Sequence, residues 1–235
     1  MLKLTRTQGL QALAAAVPVW IGYVAVGLPF GVLAAKQGLN PGLIALMSLL
    51  VFAGSAQFIA VGLIGAGAGL FTIIFTTFFV NLRHLLMSSA LALHLKGRSK
   101  GFLSAFAYGV TDESFAVNLT RFGRGAWTPE QALIVNQTSN LVWFVSTVAG
   151  GYLGDGIPQG AFGIDYALTA MFLGLLVLQV RDWLLAAVAL LAGLIAVGLK
   201  LLGPGNWQVI AATVIAASVG LIVTERWPRL ARGQR

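Results

Sequence analysis

The run from Leu70 to Leu95 is almost wholly apolar, yet Asn81-Leu82-Arg83-His84 stands at its middle. As a helix rising about 1.5 Å per residue, the run reaches roughly 39 Å, enough to cross a bilayer with some tilt. By the same rise Arg83 lies about 20 Å along the axis from Leu70, well inside the hydrocarbon layer. A cation at that depth costs on the order of 3 kcal/mol on insertion scales and is rarely kept without a partner or a task. The next apolar run, Gly101 to Phe122, holds Thr111-Asp112-Glu113-Ser114 in its interior. The connector Lys96-Gly97-Arg98-Ser99-Lys100 joins the two runs as an antiparallel hairpin. Arg83 behind Arg98 and Asp112 ahead of it stand almost equally far from that connector, so the two reach similar depth.

The rest of the chain fits a scaffold around that layer. It is 58% hydrophobic and 9% charged, with a mean hydropathy of +0.87, whereas soluble domains carry about 25% charge. The expected fold is an all-α, polytopic transmembrane bundle forming a single membrane domain over residues 1–235. The net charge of +8 sits in tails and connectors, as the positive-inside rule requires, and does not point to nucleic acid. No cysteine is present, which excludes disulfide and thiol chemistry. Lys3 and Arg6 precede an apolar run that continues past Leu33, too long for a cleaved signal, so it reads as a retained first helix.

Eight apolar segments follow one another: Gly9–Leu33, Pro41–Leu63, Leu70–Leu95, Gly101–Phe122, Pro129–Leu153, Asp165–Val180, Trp183–Leu202 and Trp207–Val223. Pro18 and Pro29 are expected to bend or break the first. Asn40-Pro41 opens the second with a cap and a first-turn proline, and Thr128-Pro129-Glu130-Gln131 opens the fifth with a capping box. Trp127, Trp183, Trp207 and Trp227 fall at segment ends, where interfacial anchors belong. Arg226, Arg229, Arg232 and Arg235 place the C-terminus in the cytoplasm, and eight crossings put the N-terminus there too. Under that count Lys96, Arg98 and Lys100 lie outside, against the charge rule. The alternative is seven crossings with one segment between residues 70 and 122 re-entrant. A faint similarity relates residues 29–57 to 151–179, each ending in a glutamine, Gln57 or Gln179.

Intramembrane ionisable residues mark pathways, so Arg83, Asp112 and Glu113 read as a substrate or coupling site, or else as a structural ion pair fixing hairpin register. Asp112 and Glu113 are neighbours and point about 100° apart on a helix, so they cannot both face Arg83. One pairs; the other, facing a cavity, carries a proton, because burial disfavours its charged form. His84 is either a proton relay or a packing residue, and Asn81 and Thr111 belong to the same layer. In the second segment Gly54-Ser55-Ala56-Gln57 suggests either close helix packing or a locally unwound helix offering backbone groups to a ligand. The polar band Asn136 to Asn140 reads as interhelical glue or pore lining. Gly27–Gly31, Gly65–Gly69 and Gly150–Gly154 match the small-xxx-small packing pattern. There is no Gly-x-x-x-x-Gly-Lys-Ser/Thr loop for an ATP motor, and no metal-ligand spacing.

Several of these stretches occur in the order of a known family. Phe30-Gly31-Val32-Leu33, Met47-Ser48-Leu49 through Phe52-Ala53-Gly54-Ser55-Ala56-Gln57-Phe58, Asn81-Leu82-Arg83-His84 and Thr111-Asp112-Glu113-Ser114-Phe115-Ala116 resemble the AzlC-type permeases. Gly163-Ile164-Asp165-Tyr166-Ala167-Leu168 is similar to a later motif of the same family, whereas Met87-Ser88-Ser89-Ala90 to His94 has fewer aromatic residues than that family leads one to expect. The resemblance implies export of leucine, isoleucine and valine, with methionine as a further substrate. It also implies drive by the proton gradient, a small hydrophobic AzlD-type membrane subunit as partner, and no cofactor. It places the chain in the cytoplasmic (inner) membrane. A zwitterionic amino acid needs a cation, an anion and an apolar pocket, and Arg83, Asp112 or Glu113, and the neighbouring Phe and Leu residues supply these. The competing readings are a passive channel or other small-solute permease with Arg83 as a selectivity element, a membrane enzyme using Asp112 or Glu113, and a subunit without a path of its own. The enzyme reading lacks both a nucleophile and a metal.

Overall fold

A computed structural model describes residues 4–125, 127–158, 182–202 and 207–226, with isolated positions between 163 and 180. The described residues form an all-α protein of nine helices. Residues 1–168 and 169–235 make two compact units. In the first lie α1 (Arg6–Lys36), α2 (Pro41–Leu50), α3 (Gly54–Gly65), α4 (Leu70–Ala92), α5 (Lys100–Tyr108), α6 (Asp112–Gly123) and α7 (Pro129–Leu153), closed by a 3-10 turn at Gly154–Gly156. The second holds α8 (Trp183–Leu202) and α9 (Trp207–Arg226), packed so closely that a Cβ on Gly220 would sit 2.9 Å from Val188. The sixth apolar segment, with Asp165 and Gln179, lies largely outside the described residues, as do Lys3, Trp227, Arg229, Arg232 and Arg235.

Helix starts follow local chemistry. Thr5 and Gln8 form a capping box at α1, Asn40 accepts from the Leu43 amide ahead of Pro41 at α2, and Thr128 and Gln131 form the expected box at α7. α1 runs unbroken through Pro18 and Pro29. Neighbouring helices can hold a membrane helix together where proline removes an amide, and α7 lies along this one. A Cβ on Gly31 would strike the Thr147 carbonyl and come within 2.6 Å of the Gly151 nitrogen. One on Gly150 would strike the Leu28 carbonyl. The Gly27–Gly31 and Gly150–Gly154 stripes therefore form one seam. Gly65–Gly69 instead makes the turn between α3 and α4, with Gly67 at φ +68.

The second and fourth apolar segments are broken at their centres. Val51-Phe52-Ala53 separates α2 from α3, and Gly109-Val110-Thr111 separates α5 from α6. Phe52 adopts φ +36, the one positive φ among the described non-glycine residues. Such a backbone costs about 1–3 kcal/mol, offset by burying the ring, 3% exposed, against Tyr23 and Tyr108 at 6.4 and 6.0 Å. Thr111 caps α6 through a box with Ser114, so Asp112 and Glu113 open a helix where the sequence suggested the middle of one.

Each broken segment folds back on itself. α2 starts with Pro41 and Ile44 beside Gly151, near the end of α7. α3 runs back until Gly65 meets the side chain of Gln37, which caps the end of α1, with Phe58 on Phe30 at 5.0 Å on the way. At the opposite end of the unit, Arg98 ahead of α5 pairs with Glu130 in the first turn of α7. α6 returns to that end, where Phe122 stacks on His94 at 4.6 Å and Asn118 accepts from Trp127. Each of these four short helices is about 14–18 Å long, half the hydrocarbon thickness. The re-entrant alternative therefore describes residues 100–123, and the same geometry holds for 41–65. In this unit α1, α4 and α7 are the full-length helices, and the basic connector Lys96–Lys100 lies at the same end as Arg6, Arg121 and Arg124. The charge-rule conflict of the eight-crossing count disappears.

Candidate functional site

Arg83, near the middle of α4, reaches the tips of both hairpins. One terminal nitrogen pairs with Asp112 Oδ2 at 2.9 Å, and the other donates to Ser55 Oγ in the first turn of α3. The matched offsets from Arg98 thus bring the arginine to Asp112, as the residue count suggested. The pair is not sealed: its side chains remain 28% and 24% exposed. Next to it, His84 Nδ1 lies 2.8 Å from the Val110 carbonyl. A carbonyl only accepts, so Nδ1 carries the hydrogen. Asn81 Oδ1, Arg83 Nε and His84 Nε2 are buried without a partner among the described residues. Buried polar atoms are ordinarily hydrogen-bonded, so a cluster of three on one turn of α4 is available to something that binds there.

Glu113 points elsewhere. Tyr23, buried at the middle of α1, donates to Glu113 Oε2 at 2.9 Å and lies 2.6 Å from Thr111 Oγ1. Since Tyr23 has one hydrogen, Thr111 donates to Tyr23 and Tyr23 to Glu113. The adjacent acids are divided as their angular separation requires, Asp112 to α4 and Glu113 to α1. This layer holds one guanidinium against two carboxylates.

Gln57 and the asparagine band lie behind the tips. Gln57 is fully buried, donating to Ser48 Oγ at 3.0 Å and accepting from Trp143 Nε1 at 2.9 Å. Ser48 in turn contacts Thr147 Oγ1 at 2.8 Å. Asn136 donates to the Phe106 carbonyl and accepts from Asn118. Gln137 donates to the Ala105 carbonyl at 2.7 Å, and Asn140 donates to Tyr108 Oη, which donates to the Leu49 carbonyl. The last carbonyls of a helix lack intrahelical partners, and in a bilayer they need others. The band supplies these for α5 directly, and for α2 through Tyr108. The structure thus gathers Ser55, Asn81, Arg83, His84, Thr111, Asp112 and Glu113 at the tips, and sets Gln57, Asn136 and Asn140 behind them. Tyr23, Tyr108, Trp143 and Asn118 are contributors the sequence reading missed. For Asn118 the buried amide itself was a usable signal, but an aromatic residue in an apolar run carries none.

Two long apolar helices, α1 and α4, a third long helix, α7, and two broken segments whose breaks meet at a charged cluster are the architecture of a polytopic membrane transport protein. The chain matches the AzlC protein family over residues 18–157. It is similar to an uncharacterized membrane protein of Archaeoglobus fulgidus, 32% identical over 84% of this chain and 87% of that one. Similarity extends to the inner membrane protein YgaZ of Escherichia coli K12, 29% identical over 66% of this chain and 64% of its relative. It also extends to the branched-chain amino acid transport protein AzlC of Bacillus subtilis 168, 26% identical over 72% and 65%. No solved structure matches. The chain belongs to the AzlC family, which makes it a membrane transport protein and not an enzyme.

Proposed function

We propose that the chain is the large subunit of a secondary active exporter of branched-chain amino acids (leucine, isoleucine, valine and also methionine), coupled to the proton gradient and working with a small AzlD-type membrane subunit. The observation that carries the reading is the Arg83 turn of α4. A part-exposed guanidinium paired with Asp112, with Asn81 Oδ1 and His84 Nε2 buried beside it without a partner among the described residues, shares its layer with a second carboxylate, Glu113, and a zwitterion requires both charges. Arg83 receives the carboxylate, Asp112 or Glu113 the ammonium. Glu113, hydrogen-bonded by Tyr23 and not by a cation, carries the proton. Support for the substrate class comes from the B. subtilis relative's name, and for the inner membrane from that of the E. coli relative. The N-terminus is cytoplasmic, since Arg6, Lys96, Arg98, Lys100, Arg121 and Arg124 share its end of the unit, and the tail arginines put the C-terminus there too.

The test is export of labelled leucine from cells expressing the chain with and without the small membrane protein encoded beside it. Uphill export that requires both proteins and collapses with the proton gradient is the expected result. Leucine that only equilibrates would establish a passive channel.

A further inference from the structure

We infer that α1 with the α2–α3 hairpin, and α4 with the α5–α6 hairpin, are two copies of one unit inserted in opposite directions, and that each hairpin gates the side it enters from, the transported solute passing between their tips at Arg83. The inference rests on the transporter reading above and adds the route.

The correspondence is in the spacing. Tyr23 precedes the α2 cap Asn40 by nearly the interval at which Arg83 precedes the α5 cap Ser99, the two differing by a single position. The interval from Asn40 to the α3 cap Ala53 exceeds that from Ser99 to the α6 cap Thr111, again by a single position. The half-helices of one hairpin thus answer those of the other in length, and a three-residue break splits each pair. α1 runs towards the end where Gly65 meets Gln37, and its hairpin enters from there. α4 runs the other way, towards the end where Arg98 meets Glu130, and its hairpin enters from that side. Paired units of opposite direction, with sites where discontinuous helices meet, are a recurring transporter plan.

The cross-connections do not repeat with that symmetry. The central polar residue of each long helix holds the second hairpin's tip: Arg83 through Asp112, Tyr23 through Thr111 and Glu113. At the first tip Arg83 reaches Ser55 and Tyr23 packs edge-on against Phe52. Tip meets tip where Phe52 faces Tyr108 at 6.0 Å and Tyr108 donates to the Leu49 carbonyl. These links close the seam. A solute carboxylate that takes Arg83 from Ser55 loosens the first tip, which keeps its ties to α7 through Gln57 and Ser48, and one that takes it from Asp112 loosens the second, which Tyr23 still holds. The groups facing the seam are Tyr23 from α1, Arg83 and His84 from α4, and Asp112 and Glu113 from α6.

The natural absence of cysteine makes the full chain ready for single-cysteine labelling. With a membrane-impermeant maleimide on intact cells and on everted vesicles, Gln37→Cys and Ala66→Cys should react from one side, and Lys96→Cys and Arg124→Cys from the other. Either pair divided between sides overturns the inverted arrangement. Ser55→Cys and Val110→Cys, one on each tip, should react with a small methanethiosulfonate added from either side. Reaction from one side only, or from neither, overturns the paired gates; if one variant fails to fold, the other reads the same quantity. L-leucine should slow both reactions at least several-fold. Two-sided labelling that leucine leaves unchanged would sink the amino-acid reading while the architecture stands.

Discussion

Arg83 and Asp112 meet at 2.9 Å across α4 and α6, and the same guanidinium reaches Ser55 on α3, so one side chain fastens three helices. Its fork is needed for both contacts at once, which a lysine ammonium does not reproduce. Arg83→Lys should therefore yield folded protein with export reduced at least tenfold. Arg83→Ala strands a carboxylate and should destabilise by about 3–5 kcal/mol. Adding Asp112→Ala to Arg83→Ala should restore part of that loss. Thermal unfolding of the purified chain in detergent, run as a double-mutant cycle, checks the set, and a strictly additive result would contradict the pairing.

Tyr23 and Glu113 give a separable prediction. Tyr23→Phe keeps the ring against Trp143 and Phe52 and removes one hydrogen bond to a carboxylate, worth about 1.5–3 kcal/mol. Glu113→Gln should abolish uphill export driven by a pH gradient while leaving leucine counterflow largely intact. Asp112→Asn, which unpairs Arg83, should lower the yield of folded protein. If Glu113→Gln and Asp112→Asn both still export against a gradient, neither acid is the coupling group.

Asn136 is expected to act on stability and not on substrate choice, because it serves the Phe106 carbonyl and Asn118. Asn136→Leu removes one of the two bonds each of them makes, leaving the Gly109 amide on the Phe106 carbonyl and the Ala132 carbonyl for the Asn118 amide, and should cost about 1–3 kcal/mol. Competition for export among leucine, isoleucine and valine in the surviving protein should be unchanged.

At the α1–α7 seam Gly31→Ala would set a methyl group against α7 backbone and should destabilise by about 1–3 kcal/mol or more. Gly22→Ala, on the same helix with nothing within 4 Å of the added carbon, should be neutral. Equal effects on melting temperature would show that close packing at this seam does not carry the stability of the unit.

The meeting of Arg83 with Asp112 is legible in the sequence because helical rise is fixed, so equal residue counts from a connector mean equal depth. The fold-back is not legible by the same reasoning. A half-helix, a three-residue break and a second half-helix together have the length and hydropathy of a crossing, and apolarity carries no record of backbone direction. One signal did point to it, the basic connector Lys96–Lys100 on the wrong side of an eight-crossing chain; the Thr111–Ser114 box in the middle of an apolar run gave none, because serine stands where a capping box ordinarily carries Glu or Gln. Glu113's partner was beyond reach, since Tyr23 lies 90 residues away and no local pattern ties a tyrosine to a distant acid.

The bracing of α5 by α7 bears on the order of assembly during synthesis. When the ribosome has finished α6, the bonds from Gln137 to the Ala105 carbonyl, from Asn136 to the Phe106 carbonyl and from Asn118 to Asn136 cannot yet form, because α7 is not yet made. Exposed to lipid in that interval, each group left unpaired would cost several kcal/mol. That cost favours entry of the second hairpin together with α7 over entry before it. The same holds for the first hairpin, with Thr147 and Trp143 of the same helix. α7, the most polar of the three long helices, thus supplies partners to both hairpins.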